Sequence, residues 1–456
     1  MSDFSQKHMK VTTLYLLGRD SRYLRPRLKL RARLKRPVLV VPTLATEFTL
    51  EENRPVFDRI VSQLRNVSYL THIIFGLDAA TDDEALLLAE ILKKGGIKNY
   101  LIQHNQGAGF TGIYDKFRDA GFGLDQPGKG RNMFMSFGVA QALGAGCVGV
   151  IDADIKTFTR RQLDRLFYPV LVLDYQFSKA FYSRITEGQM YGRVKRLLLD
   201  PLLLVFQRKF AESEDMKLLR IIDFIQAFNY QLSGEVVFDM SLLKRMHFAT
   251  NWGVEIFTLI EVYRKATNIA QVQITMDPFD HKHQQISLDD KGGGLFKMAI
   301  DIVTTLLSTL VVEEGFEISD YFVQDLAITY LDVADEMLKK YTDNSSFADL
   351  NYDRNAEEAL VRGIFRDAIL HSGDILTSPY RLTERFLRFL SSDERFRKYL
   401  NAGLDRDILE AERKSQDQLF EIPKTVSWER VIMKMPMILH DIGRVIKEEN
   451  AIYKRA

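Results

Sequence analysis

The chain of 456 residues has a single cysteine, which excludes an internal disulfide bond and suits a reducing, cytoplasmic compartment. We predict that Cys147, in a short apolar run, is buried and inert. The 62 Lys and Arg residues nearly balance the 61 Asp and Glu residues, so the net charge gives no reason to expect binding to nucleic acid or to a membrane surface. No signal peptide is evident. We expect no apolar run long enough to span a bilayer; residues 197–206 are strongly apolar but too short.

The most informative stretch is 127–155. A glycine on each side of Lys129 predicts a compact loop that brings one cation beside exposed backbone N–H groups. Apolar residues at helical spacing follow, and a glycine-rich turn predicts where that helix ends. The apolar run 147–151 is typical of a strand buried on both faces. Asp152 and Asp154 then lie at its carboxyl end, the edge of an open α/β sheet where ligands bind.

The Asp152-x-Asp154 pattern has two interpretations. Aspartates are common in turns and cap the helix that follows, which would require no ligand. Two neighbouring carboxylates are costly, however, unless a cation lies between them. Oxygen ligands favour Mg²⁺ or Mn²⁺, and Mg²⁺ in particular keeps coordination positions open for phosphate oxygens. With Lys129 upstream and a core strand before them, the two aspartates predict a site for a metal ion and a diphosphate.

Over about residues 37 to 287 the sequence resembles the retaining GT-A glycosyltransferases that use nucleotide-sugar donors. The resemblance is strongest to the glucosyl-3-phosphoglycerate synthases, and the mannosylglycerate synthases are more distant relatives. It implies an α/β fold with a GT-A-like (Rossmann-like) nucleotide-sugar-binding domain, a mostly parallel sheet and a C-terminal α-helical region. The repeated alternation of strand and helix over 37–155 independently favours a mostly parallel sheet.

The resemblance implies a donor site in the first half of this domain. Pro42, Leu44 and Glu47 match a Pro-x-Leu-x-x-Glu pattern that begins to hold the nucleotide base and ribose in the family. Asp78 ends the next predicted strand, and aspartates at this place in nucleotide-binding sheets often contact a ribose or base. The predicted donor-binding residues are Pro42, Leu44, Glu47, Asp78, Lys129 and Asp152.

The acceptor site is implied by two later segments. Residues 192–195 match a Gly-Arg-Val-Thr segment that holds the phosphate of 3-phosphoglycerate in the family, except that a lysine replaces the threonine. A glycine turn at a helix start is suited to bind an anion, and Arg adds bidentate geometry, although a basic helix start on the surface would have the same pattern. Residues 231–235 belong beside the acceptor and the transferred sugar. The predicted acceptor-binding residues are Gly192, Arg193, Val194, Lys195, Ser233, Gly234 and Glu235.

A carboxylate and a histidine complete the expected catalytic set. Glu255 heads an apolar helix. Its carboxylate either caps this helix or hydrogen-bonds sugar hydroxyls, and the resemblance favours the contact with the sugar. His281 occupies the family's metal-binding position, and His283 is close enough to compete with it. The predicted catalytic residues are Asp154, Lys129 and Glu255, and the predicted metal ligands are Asp152, Asp154, His281 and His283.

Basic and helical regions flank the predicted domain. Residues 1–36 are basic near their end and predict a solvated arm or a helix packed on the outside, with a partner-subunit contact as the alternative. Residues 37–290 would form the glycosyltransferase domain, with a donor half (37–155) and an acceptor half (156–290). Residues 291–456 carry apolar stripes at helical spacing and predict helices that pack on the core or mediate dimerisation.

Two segments inside the domain have weaker patterns. The stretch 107–123 is rich in glycine and predicts irregular structure, either a lid or an insertion. The apolar run 171–177 predicts a strand after the helix that opens at Arg160. Neither segment is assigned a catalytic role.

The resemblance implies a metal-dependent hexosyltransferase that transfers glucose from an NDP-glucose to the 2-hydroxyl of 3-phosphoglycerate, with retention at the anomeric carbon. The donor would be a UDP- or GDP-hexose, the acceptor a small anion, and the cofactor Mg²⁺ or Mn²⁺. Alternatives are a mannosyl- or glucosyltransferase that acts on glycerate, and a nucleotide-sugar-binding protein without catalysis. A homodimer is a further expectation, whereas a nucleic-acid partner is not expected.

Overall fold

The computed structural model describes residues 6, 8–18, 22–124, 127–281, 294–377 and 424–455, with the side chains of 312 and 313 excepted. In these ranges an eight-stranded sheet has an apolar core on each of its two faces. A set of helices from the last third of the chain extends one of these cores. The predicted α/β fold class and the predicted C-terminal helices are therefore confirmed.

The large sheet is mostly parallel. Its strand order is β1-β11-β6-β9-β5-β2-β3-β4, and only β9 runs antiparallel to its neighbours. Two small antiparallel pairs, β7 with β8 and β10 with β12, lie outside it. The strands are β1 Val11–Leu14, β2 Pro37–Leu44, β3 His72–Asp78, β4 Tyr100–His104, β5 Cys147–Val150, β6 Phe177–Phe181, β7 Ile185–Thr186, β8 Gln189–Met190, β9 Val236–Asp239, β10 His247–Ala249, β11 Ile269–Gln273 and β12 Thr425–Ser427.

Helices connect these strands and build the C-terminal region. Three short π-helical segments, 194–199, 309–313 and 360–365, adjoin α-helices. The α-helices described are α1 Leu24–Lys35, α2 Thr46–Thr49, α3 Arg54–Leu64, α4 Asp82–Lys94, α5 Ala108–Asp119, α6 Lys129–Ala142, α7 Arg160–Val172, α8 Asp200–Glu212, α9 Met216–Gln226, α10 Met240–Leu243, α11 Val254–Lys265, α12 Gly294–Ser308, α13 Asp320–Phe347, α14 Arg354–Ala359, α15 Arg366–Thr377, α16 Trp428–Lys434 and α17 Ile438–Tyr453.

The central strands are apolar on both sides because both faces of the sheet are covered. In β2, Val38 and Val40 enter one core, whereas Leu39 and Val41 enter the other. β5 is fully buried, as its short apolar run predicts, and Cys147 is buried in it. Burial raises the pKa of the Cys147 thiol, which agrees with an inert packing role.

Two predictions of local structure are wrong. The stretch 107–123 is not irregular: α5 runs through it, with Phe110, Ile113 and Phe117 on its buried face. The run 171–177 is not a strand, because α7 continues to Val172 and β6 begins only at Phe177. The run 171–177 therefore spans a helix end, a short exposed connection and a strand start, and its apolar composition did not identify these elements.

The N-terminal region is not wholly a solvated arm. β1 adds an edge strand to the large sheet by pairing in parallel with β11. The basic helix α1 packs on the outside against α7 and buries Leu24, Leu28 and Ala32. Its opposite face carries the exposed basic side chains, which agrees with the expected helix packed on the outside.

The C-terminal region packs against both halves of the predicted domain. α17 lies on α5 and α6, and its Asn450 side chain bonds the N–H and the C=O of Ile102 in the edge strand β4 at 2.8 and 2.9 Å. This contact satisfies backbone groups that an edge strand otherwise exposes.

One helical stretch, 294–311, does not agree with the expectation that no apolar run is long enough to span a bilayer. This helical stretch is the one in the described part of the chain that is long and apolar enough to cross a membrane, and 72% of it is buried inside the protein. Residues 296–312 were predicted to form one of the C-terminal helices with an apolar stripe, without their length being compared with the thickness of a bilayer.

Candidate active site

Three strand ends bring the candidate residues together. β5, β6 and β11 point the same way in the sheet, so their carboxyl ends lie at one edge. Asp152 and Asp154 follow β5, Tyr182 follows β6, and His281 comes after β11. His281 also forms an isolated antiparallel bridge with Ile155, which fixes it beside the two aspartates. The site therefore lies at the sheet edge that the sequence predicts.

Lys129, in the first turn of α6, lies between two carboxylates. Its Nζ atom is 2.8 Å from Asp152 Oδ1 and 2.9 Å from Glu255 Oε1. Burial opposes the charge on Lys129, but the two carboxylates outweigh burial and raise the pKa of the ammonium well above its usual value. Lys129 is therefore a fixed cation that joins Asp152, at the end of β5, to Glu255, in the first turn of α11.

His281 joins the second aspartate to a further acidic residue. Its Nδ1 atom is 3.2 Å from Asp154 Oδ1, and its Nε2 atom is 3.3 Å from the hydroxyl of Tyr182. That hydroxyl donates to Glu235 Oε2 at 2.7 Å. Burial alone would lower the pKa of His281, but the neighbouring Asp154 raises it overall. The chain Asp154–His281–Tyr182–Glu235 is thus continuous.

A group able to hold a metal ion overlaps this chain. Ligand atoms of Asp152, Glu235 and His281 lie within 4.8 Å of one another. Glu235 Oε1 is buried and has no hydrogen-bond partner among the described residues. Glu235, expected on the acceptor side, therefore belongs beside the predicted metal ligands. Asp154 adjoins the group through its contact with His281, and His283 lies outside the described residues.

The turn before β9 fits closely against Asp152. A Cβ atom at Gly234 would lie 2.5 Å from Asp152 Oδ2, so only glycine allows this approach. The buried Lys179 donates a hydrogen bond to the carbonyl of Ser233 at 2.5 Å and so helps to fix this turn. Burial lowers the pKa of Lys179 to about 8. Ser233 itself is fully buried and is not among the residues that line the two cavities described next, so its acceptor role stays a prediction.

Two cavities meet at this network. The first has a volume of about 390 Å³ and is lined by all the residues predicted to bind the donor. The second, of about 230 Å³, is lined by residues 192–195, by Gly234, Glu255 and His281. Four residues line both cavities: Lys129, Asp152, Asp154 and Trp252.

Supporting side chains fix Asp78 at the back of the first cavity. Gln106 Nε2 donates to Asp78 Oδ1 at 2.6 Å, and a terminal nitrogen of Arg131 is 3.5 Å from the same oxygen. Arg131 is stacked on the ring of Tyr114, in α5. The stretch 107–123 thus supports the donor-side wall, although the sequence analysis assigned it no function.

The predicted anion-binding segment begins a helix at the wall of the second cavity. Gly192 has a φ of 78°, which favours glycine, and the π-helical turn 194–199 follows directly. Lys195 is already paired, since its Nζ atom is 2.6 Å from Asp200 Oδ2. Arg193 has no carboxylate within ion-pair distance among the described residues. Arg193 is therefore the cation of this segment that is available to a ligand.

A buried ion pair ties this segment to the C-terminal helices. Arg196 Nη2 lies 2.5 Å from Glu357 Oε1, and Arg196 Nη1 lies 3.1 Å from Glu357 Oε2, in α14. The same guanidinium donates to the carbonyls of Met190 and Tyr191, and it stacks on Tyr341. The residues before Gly192 are therefore held by a side chain that the C-terminal region neutralises.

We expect Glu357→Gln to lower the free energy of unfolding by about 3–5 kcal/mol, because it leaves the Arg196 charge buried without a counter-charge. Urea denaturation of the full chain measures this change. Glu358→Gln is the matched control, since Glu358 pairs with Arg362 at the surface and its loss should cost less than about 1 kcal/mol. Equal effects of the two variants would show that the buried pair is not a specific support.

Sequence reasoning missed several residues of the site. Tyr182, Arg184 and Lys179 follow or belong to β6, and placing that strand at 171–177 hid their position at the carboxyl end of a core strand. Correct placement would have marked the first two by the same rule that marked Asp152. Trp252, which lines both cavities, lies in the loop before α11, and no role was assigned to it although its neighbour Glu255 was singled out.

No protein-family model matches the chain. Among curated proteins, the glucosyl-3-phosphoglycerate synthase of Persephonella marina is 33% identical over 374 residues, which cover 81% of this chain and 89% of the relative. The chain belongs to the glucosyl-3-phosphoglycerate synthase family. The synthase of Methanococcoides burtonii is 29% identical over 378 residues, 82% of this chain and 89% of that protein. The resemblance stated from the sequence is thereby confirmed.

Solved structures of a third member, from Mycobacterium tuberculosis, are more distant. The complex with Mn²⁺, uridine diphosphate and phosphoglyceric acid is 22% identical and has a TM-score of 0.45, covering 65% of this chain and 85% of that one. The complex with phosphoglyceric acid is 22% identical and has a TM-score of 0.47, covering 68% and 90%.

Proposed function

We propose that this member of the glucosyl-3-phosphoglycerate synthase family transfers glucose from an NDP-glucose to the 2-hydroxyl of 3-phosphoglycerate, with retention at the anomeric carbon. One observation carries the proposal: the two cavities share Lys129, Asp152, Asp154 and Trp252. A nucleotide-sugar in the first cavity would direct its sugar toward these shared residues. An acceptor in the second cavity would reach them from the other side, so that the two reactants meet.

The donor side would bind the nucleotide and stabilise the leaving diphosphate. Asp78 is held by Gln106 and faces the first cavity, where it suits a ribose or base. Lys129 is a buried cation at the boundary of the cavities, and a fixed charge there stabilises negative charge that develops on the diphosphate. Because Lys129 is preorganised by Asp152 and Glu255, little rearrangement would be needed during the reaction.

The residues around His281 fit a divalent metal ion. They combine carboxylate oxygens with one imidazole nitrogen, and the unpartnered Oε1 atom of Glu235 supplies a buried acceptor. Asp152, Asp154 and His281 would hold Mg²⁺ or Mn²⁺, with Glu235 as a further oxygen. When bound, such an ion supplies a Lewis acid for the diphosphate oxygens.

The acceptor side would hold an anionic molecule and orient its hydroxyl. Arg193 provides a guanidinium that has no carboxylate within 4 Å among the described residues, and Gly192 opens the backbone at a helix start. Glu255 lines the same cavity, with its Oε1 atom 2.9 Å from Lys129 Nζ, and it would hydrogen-bond the hydroxyls of the transferred sugar. When both reactants are held in line, the bimolecular transfer becomes an effectively unimolecular reaction within the enzyme complex.

A panel of substrates tests the proposal. Release of the nucleoside diphosphate is measured with UDP-glucose, GDP-glucose and GDP-mannose, each against 3-phosphoglycerate and glycerate in Mn²⁺ buffer. We expect the highest kcat/KM for an NDP-glucose with 3-phosphoglycerate. Preference for glycerate or for GDP-mannose would assign one of the alternative activities, and no turnover with any pair would contradict catalysis.

The predicted homodimer and cytoplasmic location stay predictions.

A further inference from the structure

The helix α1 concentrates positive charge on a chain that is nearly neutral overall. Residues 22–36 contain eight Lys and Arg residues and no Asp or Glu. Arg31 and Lys35 share one carboxylate, that of the exposed Asp174, at 3.9 and 3.1 Å. Five of the other cations have no carboxylate within 4 Å among the described residues: Arg25, Arg27, Lys29, Arg33 and Arg36. The protein therefore leaves most of the charge of this helix unmatched.

Apolar side chains form a line on the exposed face of the same helix. Residues four apart share one face of a helix, and the face of α1 that contains Leu28 packs on α7. Pro26, Leu30 and Leu34 have the same spacing but lie two residues away, which is about half a turn, so they point outward. Leu30 is 66% exposed and Leu34 is 77% exposed. We refer to Pro26, Leu30 and Leu34 as the α1 stripe.

Cations flank the α1 stripe on both sides. By helical spacing, Arg27 and Arg31 lie along one side of it, and Lys29 and Arg33 lie along the other. Single exposed apolar residues are common on protein surfaces and require no partner. A line of them between two rows of cations is typical of helices that lie on an anionic membrane surface.

Two other classes of partner match this face less well. A second copy of the chain, docked about a two-fold axis, would bring the cations of one α1 against those of the other, and like charges repel. A nucleic acid would neutralise the cations, but its phosphate backbone offers no apolar surface to Leu30 and Leu34. An anionic lipid surface matches both the charge and the apolar side chains.

We propose that α1 binds the enzyme reversibly to an anionic lipid surface. The rows of cations would contact the headgroups, while Leu30 and Leu34 enter the boundary between headgroups and acyl chains. One basic helix with few apolar side chains binds weakly, because stable attachment to a membrane needs a second signal. The residues that line the two cavities come from other elements, so we expect the contact to leave the reaction itself unchanged.

Co-sedimentation of the full-length protein with lipid vesicles tests the proposal. The vesicles consist of phosphatidylcholine alone, or of phosphatidylcholine with an equal amount of phosphatidylglycerol. We expect binding to the anionic vesicles to be at least about 10-fold stronger at about 0.1 M salt, and to be lost at about 1 M salt, where the Debye length falls to about 3 Å. Equal binding to both kinds of vesicle, or binding to neither, would overturn the proposal.

Two double variants separate the charged from the apolar contribution. Lys29→Gln with Arg33→Gln should weaken binding to the anionic vesicles about 10- to 30-fold, because two cations are lost from the headgroup region. Leu30→Ser with Leu34→Ser keeps every charge and should weaken binding about 10-fold. All four side chains are exposed, so the melting temperature and the turnover without vesicles should not change.

The matched control is Lys339→Gln with Lys340→Gln, which removes two exposed cations from α13 and should leave vesicle binding unchanged. Equal weakening by this control would show that the total charge, and not α1, is responsible, and it would overturn the proposal. Binding that survives the two leucine substitutions would do the same, as would tighter binding to a DNA duplex than to the anionic vesicles.

Discussion

Asp154→Ala is expected to lower kcat by about 10³-fold or more while the protein stays folded. Asp154 is in contact with His281 at 3.2 Å and lines both cavities, so its loss would weaken the proposed metal site at the point where the reactants meet. Several kcal/mol of charge stabilisation by a metal correspond to two to three factors of ten or more in rate. Steady-state kinetics with saturating UDP-glucose and 3-phosphoglycerate measure the loss.

Metal removal provides the companion measurement. Excess EDTA should abolish turnover by the unaltered enzyme, and added Mn²⁺ should restore it. Asp58→Asn is the matched control, because Asp58 is an exposed aspartate paired with Arg54 in α3 and should leave kcat unchanged. Full activity in EDTA would contradict the metal-dependent mechanism, whatever the effect of Asp154→Ala.

Lys129→Ala is expected to lower kcat about 10²- to 10³-fold, the range found when one preorganised group that stabilises developing charge is removed. The substitution removes the counter-charge from the leaving diphosphate, and it also leaves Asp152 and Glu255 in the same site without the cation between them. UDP binding should weaken as well, which calorimetry with the variant reports.

The control for Lys129 is Lys339→Ala. Lys339 is an exposed lysine on α13 that pairs only with Asp343 among the described residues, so its loss should change neither kcat nor UDP affinity. If Lys129→Ala kept the UDP affinity and the kcat of the unaltered enzyme, Lys129 would be a structural partner of Asp152 and not a diphosphate ligand.

The donor edge of the site could be predicted because its signals are local. A glycine-flanked lysine, a helix, a turn, a buried strand and two aspartates follow one another within 127–155, and parallel strands place their carboxyl ends at one edge. The donor role of Asp78 follows from its place at a strand end, whereas Pro42 and Glu47 were assigned through the resemblance to the family. All of them line the first cavity.

The acceptor side depends on contacts that no local pattern contains. β9 enters the sheet antiparallel between β5 and β6, and this insertion brings Gly234 and Glu235 against Asp152. Arg196 meets Glu357 across 161 positions of sequence. Such pairings are set by the three-dimensional packing of the helices, so the sequence analysis could not assign the C-terminal region a role at the site.

The two errors in element type have different causes. In α5, Phe110, Ile113, Tyr114 and Phe117 repeat at helical spacing, but several glycines around them suggested irregular structure. In α7 the apolar end of the helix was taken for a strand, because short apolar runs fit both elements. The second error also hid Arg184, which the structure brings to the acceptor cavity.

The product of the unaltered enzyme tests the central claim most directly. The protein is incubated with UDP-glucose, 3-phosphoglycerate and Mn²⁺, and the product is identified by mass spectrometry and by the proton NMR coupling of its anomeric position. The account predicts a glucosyl group with α configuration on the 2-hydroxyl of 3-phosphoglycerate, the same configuration as in the donor. A β-linked product, a different acceptor position, or free glucose as the only sugar product would contradict it.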